Sequence, residues 1–421
     1  MSATVQQSPF STANPHALAV ILEASETKRI IASSDIFDIA GIKLWARDRP
    51  VSAELQRKLQ DRQLRDPLET CLMAEDGVTP ATLADALQAL LAEDSPLARL
   101  VRPHAAVIAA HVPQLPLHSV AQLLLTASQG SRPESFDHSV KAMALCGALM
   151  AAHGGGAAEM RSALLCGLLH DLGEMYIDPA FGEADADRAL DFESYQQLVV
   201  HPHIGHLLVA QLTNYPKSIA RAIAEHHERL DGSGYPRGLK RDEVSPLGRM
   251  LALAEATLAV LRSDTPQLAR VSVALRVVPG EFDMGWIGSI ASLARLEDEV
   301  PAQRDVQSLA TRLVKLDDAL TEAHDSVEVL ATSAESDALK GALHLADGLL
   351  DRLRTGWYAS GLWSTEAVRP EDAAEVEAVE DELIHRLCAI ERAAWLQAGM
   401  LSAGDTHRLN LLGQSLRSVG Q

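Results

Sequence analysis

Residues 163–171 read Ala-Leu-Leu-Cys-Gly-Leu-Leu-His-Asp, an almost fully apolar segment that ends in an adjacent histidine and aspartate. Alanine and leucine are strong helix formers, so the segment predicts a buried helix with His170 and Asp171 at its end. A carboxylate buried against such a helix is costly unless it meets a cation or strong hydrogen-bond donors. A metal ion would supply that cation, and the alternative is a His–Asp pair that only caps the helix.

Composition extends the helical interpretation to the whole chain of 421 residues. Hydrophobic residues make up 47% and aromatic residues only 4%, and alanine and leucine supply most of the apolar mass. Sandwiches and barrels usually carry more aromatic and β-branched residues. We therefore predict an all-α protein of two or three domains.

Charge and hydropathy exclude two classes of partner. The formal net charge is −20, and such a field repels the backbone of a DNA or RNA duplex. The N-terminus has no basic segment before an apolar core, and no stretch reaches the ~18 apolar residues of a membrane span. We expect a cytoplasmic protein with no membrane span.

Helical patterns predict four parts along the chain. They are a flexible N-terminus (1–16), an N-terminal helical domain (17–124), a central domain (125–295) and an acidic C-terminal helical region (296–421). In the N-terminal domain, helices are predicted over 52–64 and from Thr79-Pro80, where an N-cap residue precedes proline.

The C-terminal region carries leucines at helical spacing. They are Leu309, Leu313, Leu316 and Leu320, then Leu345, Leu349, Leu350 and Leu353. This spacing predicts the core of a helical bundle, and the alternative is a surface for a homodimer or for a signalling protein. The glycine-containing segments 356–358 and 360–363 are predicted to interrupt the helices, and a further helix is predicted to start near Arg369-Pro370.

Histidines are crowded in the central domain, where eight of the chain's 16 fall between 138 and 227. Glu134 and His138 are four residues apart, which places them on one face of a helix. Two adjacent histidines, His226 and His227, point about 100° apart on a helix, so they suit an extended centre or two neighbouring ions. Glu255 is a single carboxylate in an otherwise apolar helix and also needs a partner.

The residue types indicate the kind of metal chemistry. Imidazoles and carboxylates without thiolates suit iron, manganese, nickel or zinc used for hydrolysis. The four cysteines lie far apart with no CxxC spacing, so a structural zinc site is not expected. Two or three such ions can hold a phosphodiester and activate hydroxide. The pattern therefore predicts a multinuclear metal centre suited to phosphoester hydrolysis.

The order of these motifs resembles the HD-GYP family, a branch of the HD superfamily of metal-dependent phosphohydrolases. The matching strings are His170-Asp171, His201-Pro202, His226-His227-Glu228 and Asp231-Gly-Ser-Gly-Tyr-Pro with Gly238-Leu239. The resemblance covers residues 125–290, and the intact string HHE-x-x-DGSGYP is highly specific. It implies a helical HD-superfamily core, flanked here by the N-terminal helical region and the C-terminal helical bundle. It also implies hydrolysis of the bacterial second messenger cyclic di-GMP.

The resemblance implies a role for each site residue. The metal ligands would be Glu134, His138, His170, Asp171, His201, His226, His227 and Glu255, with Asp171 bridging two ions. The substrate-binding residues would be Asp231, Gly234, Tyr235, Pro236 and Arg262. The catalytic residues would be His170, Asp171 and Glu174. The implied cofactor is two or three divalent transition-metal ions, iron or manganese, that activate a hydroxide for attack on the phosphodiester.

Three positions depart from the family pattern. Where the family has a lysine that meets substrate phosphate, this chain has Glu174. A pair of unit charges about 4 Å apart at a dielectric near 20 is worth about 4 kcal/mol, so this reversal opposes substrate binding unless Glu174 turns away or joins the metal ligands. The last ligand is usually aspartate rather than glutamate, and the family's Arg-Pro-Tyr is replaced by 261–266, where Arg262 would offer a cation.

These departures leave two functions open. The first is a metal-dependent phosphodiesterase acting on a cyclic dinucleotide, with cyclic di-GMP as the expected substrate. The second is a catalytically degenerate relative that keeps the metal and serves in signalling as a cyclic-dinucleotide-binding or scaffold protein. The complete set of ligands favours the enzyme, and Glu174 and the missing Arg-Pro-Tyr favour the alternative.

Overall fold

The structure is a computed structural model, and it describes residues 9–179, 197–262, 268–294, 306–360, 373–398 and 401–417. The chain divides into two compact units, Met1–His226 and His227–Gln421. The boundary falls between the two adjacent histidines of the predicted metal motif. Helices dominate the described parts of both units, which confirms the all-α class.

The first unit begins with short helices and four short strands. The helices are α1 (Pro15–Ala24), α2 (Ala53–Leu59), α3 (Pro80–Ala92), α4 (Pro96–Val101) and α5 (Ala105–His111). The strands pair antiparallel, β1 (Ile30–Ala32) with β4 (Leu72–Ala74) and β2 (Ile36–Phe37) with β3 (Lys43–Trp45). Sequence analysis predicts only helices here. It misses the strands because each has two or three residues and β1 is buried throughout, so no alternation is visible.

Helix boundaries in this part follow their capping residues. Helix α3 begins at Pro80 as predicted, and the Thr79 side chain accepts the backbone N–H of Thr82. Helix α2 ends at Leu59, five residues before the predicted end, because Gln60 leaves helical geometry with a ψ of 127° and Asp61 has a positive φ of 58°.

The rest of the first unit is a helical core. It contains α6 (Ser119–Ser131), α7 (Pro133–Ala152), α8 (Ala157–Leu169), α9 (His201–Leu212) and α10 (Lys217–Ala224). Helix α8 is the predicted apolar helix, and every residue from Ala163 to Leu169 is buried. Cys146 and Cys166 are buried and free, as expected of small apolar side chains. A 3-10 segment, Leu172–Tyr176, follows His170 and Asp171.

The second unit starts with a loop that contains the Gly-Tyr-Pro string and continues as helices. These are α11 (Pro246–Leu261), α12 (Leu268–Ala274), α13 (Met284–Ala294), α14 (Val306–Ser333), α15 (Asp337–Ser360), α16 (Ala373–Ala398) and α17 (Ala403–Arg417). Six of the predicted leucines are buried, which confirms the bundle core: Leu313, Leu316, Leu320, Leu349, Leu350 and Leu353. No helix in the described parts of the chain is long and apolar enough to cross a membrane.

One predicted break in the C-terminal region is wrong. Helix α15 continues through Gly356-Trp357-Tyr358 to Ser360. The Trp357 side chain is fully buried and its Nε1 donates to Asp317 Oδ1 on α14 at 2.9 Å. This packing outweighs the roughly 1 kcal/mol that glycine costs inside a helix. The segments 361–363 and 369–372 lie outside the described residues.

Candidate metal centre

Three buried histidines of the first unit are held in the same way. The Nδ1 atoms of His170, His201 and His226 lie 2.8, 2.7 and 2.6 Å from the carbonyl oxygen three residues earlier. A carbonyl oxygen only accepts hydrogen bonds, so each Nδ1 carries a proton. In the neutral ring the opposite nitrogen, Nε2, then carries an unshared lone pair. A nitrogen in this form can bind a metal ion.

The Nε2 atoms meet in two pairs on either side of one carboxylate. His138 Nε2 lies 3.2 Å from His170 Nε2, and His201 Nε2 lies 3.1 Å from His226 Nε2. Asp171 Oδ2 is 3.0 Å from His170 Nε2 and 3.4 Å from His138 Nε2. Its Oδ1 is 3.3 Å from His226 Nε2 and 3.6 Å from His201 Nε2. Asp171 therefore belongs to both groups.

This arrangement fits a divalent cation. Two Nε2 lone pairs about 3 Å apart repel each other unless a positive charge, a proton or a metal ion, lies between them. Among the described residues, ligand atoms of His138, His170 and Asp171 lie within 4.8 Å of one another, and so do those of Asp171, His201 and His226. The donor set of imidazole and carboxylate suits a divalent transition metal.

The pKa of Asp171 reflects the same surroundings. Burial raises this pKa, but the imidazoles of His170, His138 and His226, which are cationic and donate to the carboxylate when Nε2 is protonated, lower it well below its ordinary value. Asp171 is therefore ionised near neutral pH and offers two anionic oxygens to a cation.

Gly173 allows the backbone to reach this geometry. A Cβ atom at this position would overlap the carbonyl oxygen of His201 and lie 2.8 Å from the amide nitrogen of Gly205. The 3-10 segment after Asp171 thus packs directly against the first turns of α9. This close approach places His201 beside Asp171.

Glu134 differs from the other predicted ligands of the first unit. It lies in the first turn of α7, one turn before His138, and its side chain is exposed. Among the described residues it is not a member of the group formed by His138, His170 and Asp171. Its role as a ligand stays a prediction.

Glu174, which replaces the family lysine, lies beside a cation that sequence analysis missed. Arg132, immediately before α7, directs Nη1 at the backbone oxygen of Glu174 at 3.4 Å. Burial lowers the pKa of Arg132, and the charges of Glu174, Glu23 and Asp178 raise it. Arg132 therefore partly offsets the negative charge of Glu174.

In the second unit, the loop after His227 is folded back on itself. The Tyr235 amide donates to the His227 carbonyl at 3.0 Å, and the two rings stack with centroids 4.5 Å apart and an interplanar angle of 18°. Gly234 is required because a Cβ there would overlap the backbone of His227 and Arg229. The Tyr235–Pro236 peptide bond is cis.

Two carboxylates hold the loop. Asp231 Oδ1 accepts the backbone N–H and the hydroxyl of Ser233 at 2.9 and 2.6 Å, so this carboxylate holds the start of the loop, and its contact with substrate stays a prediction. The buried Glu228, which sequence analysis gave no role, accepts the backbone N–H groups of Arg237 and Leu239 at 2.9 and 2.8 Å. A sequence signal for this role is the position of an acidic residue between the two histidines and the glycine-rich loop.

Glu255 and Arg262 interact with each other. Glu255 is buried in α11, and Arg262 follows the last turn of the same helix. Arg262 Nη2 donates to Glu255 Oε1 at 2.7 Å. The expected carboxylate in an apolar helix therefore has at least one cationic partner, and its service as a metal ligand stays a prediction.

The central part of the chain matches a known family. Residues 122–279 match the HD domain family. No solved structure matches the chain significantly. The resemblance to HD-type phosphohydrolases expected from the motifs is thereby confirmed for this segment.

Curated relatives share the same segment. A cyclic di-GMP phosphodiesterase of Pseudomonas aeruginosa is 32% identical over 150 residues, which cover 35% of this chain and 35% of that protein. A 3'3'-cGAMP-specific phosphodiesterase of Vibrio cholerae is 34% identical over 106 residues, or 25% of this chain and 22% of that protein. A cyclic di-GMP phosphodiesterase of Thermotoga maritima is 36% identical over 90 residues, or 21% and 24%. The chain thus spans about a third or less of the length of these relatives.

Proposed function

We propose that this protein is a metal-dependent phosphodiesterase that hydrolyses a cyclic dinucleotide, with cyclic di-GMP as its substrate. The observation that carries the proposal is the pair of facing imidazole nitrogens on each side of Asp171. The similarity to phosphodiesterases of cyclic di-GMP and 3'3'-cGAMP supports the substrate class.

The proposed cofactor is two or three divalent ions, iron or manganese. Membership of Asp171 in both ligand groups supports at least two positions. Bound there, such ions would supply Lewis-acid activation of the phosphodiester and of water. The proposed set is completed by Glu134, His227 and Glu255.

The chain's own residues prepare the site before a substrate binds. The backbone carbonyls fix the imidazoles of His170, His201 and His226 with Nε2 facing inward, so little reorganisation is needed on metal binding. Asp171, held in its ionised form, would balance part of the metal charge. The loop of Asp231, Gly234, Tyr235 and Pro236 is proposed to bind the dinucleotide.

The alternative is a catalytically degenerate protein that keeps the metal and serves as a cyclic-dinucleotide-binding or scaffold protein. Glu174 favours this alternative because a carboxylate at this position opposes a substrate phosphate. Arg132 favours the enzyme, because its charge acts on Glu174 and reduces that opposition.

The test is a direct assay on the full chain. The protein is purified anaerobically, loaded with manganese or ferrous iron, and incubated with cyclic di-GMP or 3'3'-cGAMP, and the products are separated by chromatography. We expect a linear dinucleotide or GMP, with loss of turnover after chelation. Binding of cyclic di-GMP without any product under both metals would support the alternative instead.

A further inference from the structure

A buried ion cluster in the second unit joins the motif loop to the C-terminal helices. Glu281, which is only 3% exposed, lies between two arginines. Its Oε1 is 2.8 Å from Arg386 Nη1 on α16 and 3.4 Å from Arg229 Nε, two residues after His227. The carbonyl oxygen of Glu281 also accepts the backbone N–H of Leu230 at 2.9 Å.

The cluster places two carboxylates against two arginines. Arg386 Nε forms a second ion pair with Glu382 Oε1 at 2.9 Å. Burial raises the pKa of Glu281 to about 7, although Arg386 and Arg229 lower it. Because the charges are buried, removing one member leaves another without compensation, which costs more than losing an exposed ion pair.

A second arginine from the C-terminal helices reaches the same loop. Arg352 Nε on α15 lies 3.6 Å from Asp231 Oδ2, while the other oxygen of Asp231 holds Ser233. Arg352 and Arg386 both lie beyond residues 122–279, the segment that matches the HD domain family. Glu281 and Arg352 contact positions 229–231, where the His-His-Glu string joins the string that begins at Asp231.

These contacts affect the shape of the loop because the loop is short and its two ends, at His227 and Tyr235, contact each other. Positions 229–231 are followed within four residues by Tyr235, whose amide and ring both contact His227. Positions 229–231 therefore belong to the short segment that connects His227 to Tyr235, and their displacement acts on that segment. His227 is a proposed metal ligand and Tyr235 a proposed substrate contact.

We infer that Arg386 and Arg352 are positioning residues for the Gly-Tyr-Pro loop, so that helices α15 and α16 are part of the apparatus that binds the cyclic dinucleotide. The effect of these arginines on binding of the cyclic dinucleotide rests on the proposed function. The shape of the loop can be measured independently of that function.

The test compares Arg386→Gln, Arg386→Lys and Arg352→Gln in the full chain. The matched control is Arg408→Gln, which removes an ion pair formed with Asp405 inside helix α17 at 3.2 Å. The readout is hydrogen exchange of peptides covering 227–239, where the amides of Tyr235, Arg237 and Leu239 are hydrogen-bonded within the loop.

We expect exchange in 227–239 to be about tenfold faster in Arg386→Gln and about threefold faster in Arg352→Gln, because each loss raises the population of the open loop. Arg386→Lys, which keeps the charge, should rescue part of the effect, and the control should match the native protein. With manganese bound, both glutamine variants should raise the KM for cyclic di-GMP while the metal content stays constant.

Two results would overturn the inference. One is unchanged exchange in 227–239 in both glutamine variants. The other is an equal increase in exchange in α14 and in the loop, which would indicate a general loss of stability. If the native protein hydrolyses neither dinucleotide, the proposed function fails, but the exchange data still decide whether the arginines hold the loop.

Discussion

Replacing Asp171 by asparagine is the most direct perturbation of the metal centre. The side chains have nearly the same size, so the helices around the site can stay in place, and the change removes one negative charge. That charge lies 3.0 to 3.6 Å from the four Nε2 atoms of His138, His170, His201 and His226. It is also the only carboxylate common to the two ligand groups found among the described residues.

The expected loss of metal affinity follows from the same distances. For a cation that these groups share, we take about 4 Å and an effective dielectric near 20, at which a unit charge pair is worth about 4 kcal/mol. At about 1.4 kcal/mol for each factor of ten, this equals roughly three orders of magnitude in affinity. A divalent ion doubles the charge, so the figure is a lower bound for a shared ion.

The assay is metal titration of the full chain, with manganese affinity measured by competition with a chelator and content measured by elemental analysis. The matched control is Asp137→Asn on α7, an exposed carboxylate paired with Lys141 at 2.6 Å. We expect the control to keep native affinity and Asp171→Asn to retain little metal. Native manganese affinity in Asp171→Asn would refute the bridging role and make this residue a structural partner of the histidines.

Three further predictions test the remaining assignments. Glu255→Gln should lower metal content and also reduce the free energy of unfolding by about 1–3 kcal/mol, since the buried Glu255 side chain no longer provides a negative charge to accept the hydrogen bond of the exposed Arg262; chemical denaturation with and without metal separates the two, and unchanged metal content would leave Glu255 an ion-pair residue only. Glu174→Lys should raise cyclic di-GMP affinity or turnover about tenfold or more, with Glu174→Gln between the two, because the sign of a charge near the substrate is reversed; loss of metal would instead identify Glu174 as a ligand. Gly173→Ala should cost about 1–3 kcal/mol of stability and weaken metal binding, because the new methyl group overlaps the backbone of α9. Its control is Gly348→Ala, where a Cβ meets nothing within 4 Å, and equal melting temperatures for both variants would contradict the packing argument.

The residues that sequence analysis could place are those whose position follows from a helix end. His170 and Asp171 follow an apolar helix, His201 begins one, and His226 follows another. Residues at the ends of packed helices can converge, and the proximity of these four to one another agrees with that expectation. The strands at 30–32 and 72–74 could not be found in this way, because they pair across some forty residues and are too short to show a period.

Motif comparison could not predict which cations lie near the carboxylates of Glu174, Glu281 and Asp231. Glu174 departs from the family pattern within its own motif. Taken alone, it favours a protein that no longer hydrolyses a cyclic dinucleotide. The cation that acts on it, Arg132, lies 42 residues earlier and before a different helix. Arg386, which contacts Glu281, and Arg352, which contacts Asp231, are likewise more than a hundred residues from those partners. Such pairs form only when distant segments pack, because an ion pair constrains distance in space and not separation along the chain. A substitution that reverses a charge in a motif therefore has to be judged with the charges that surround it in the folded protein. Because Arg132 acts on its charge, Glu174 is not by itself evidence of lost activity. The effect of that charge on affinity and turnover can be measured with Glu174→Lys.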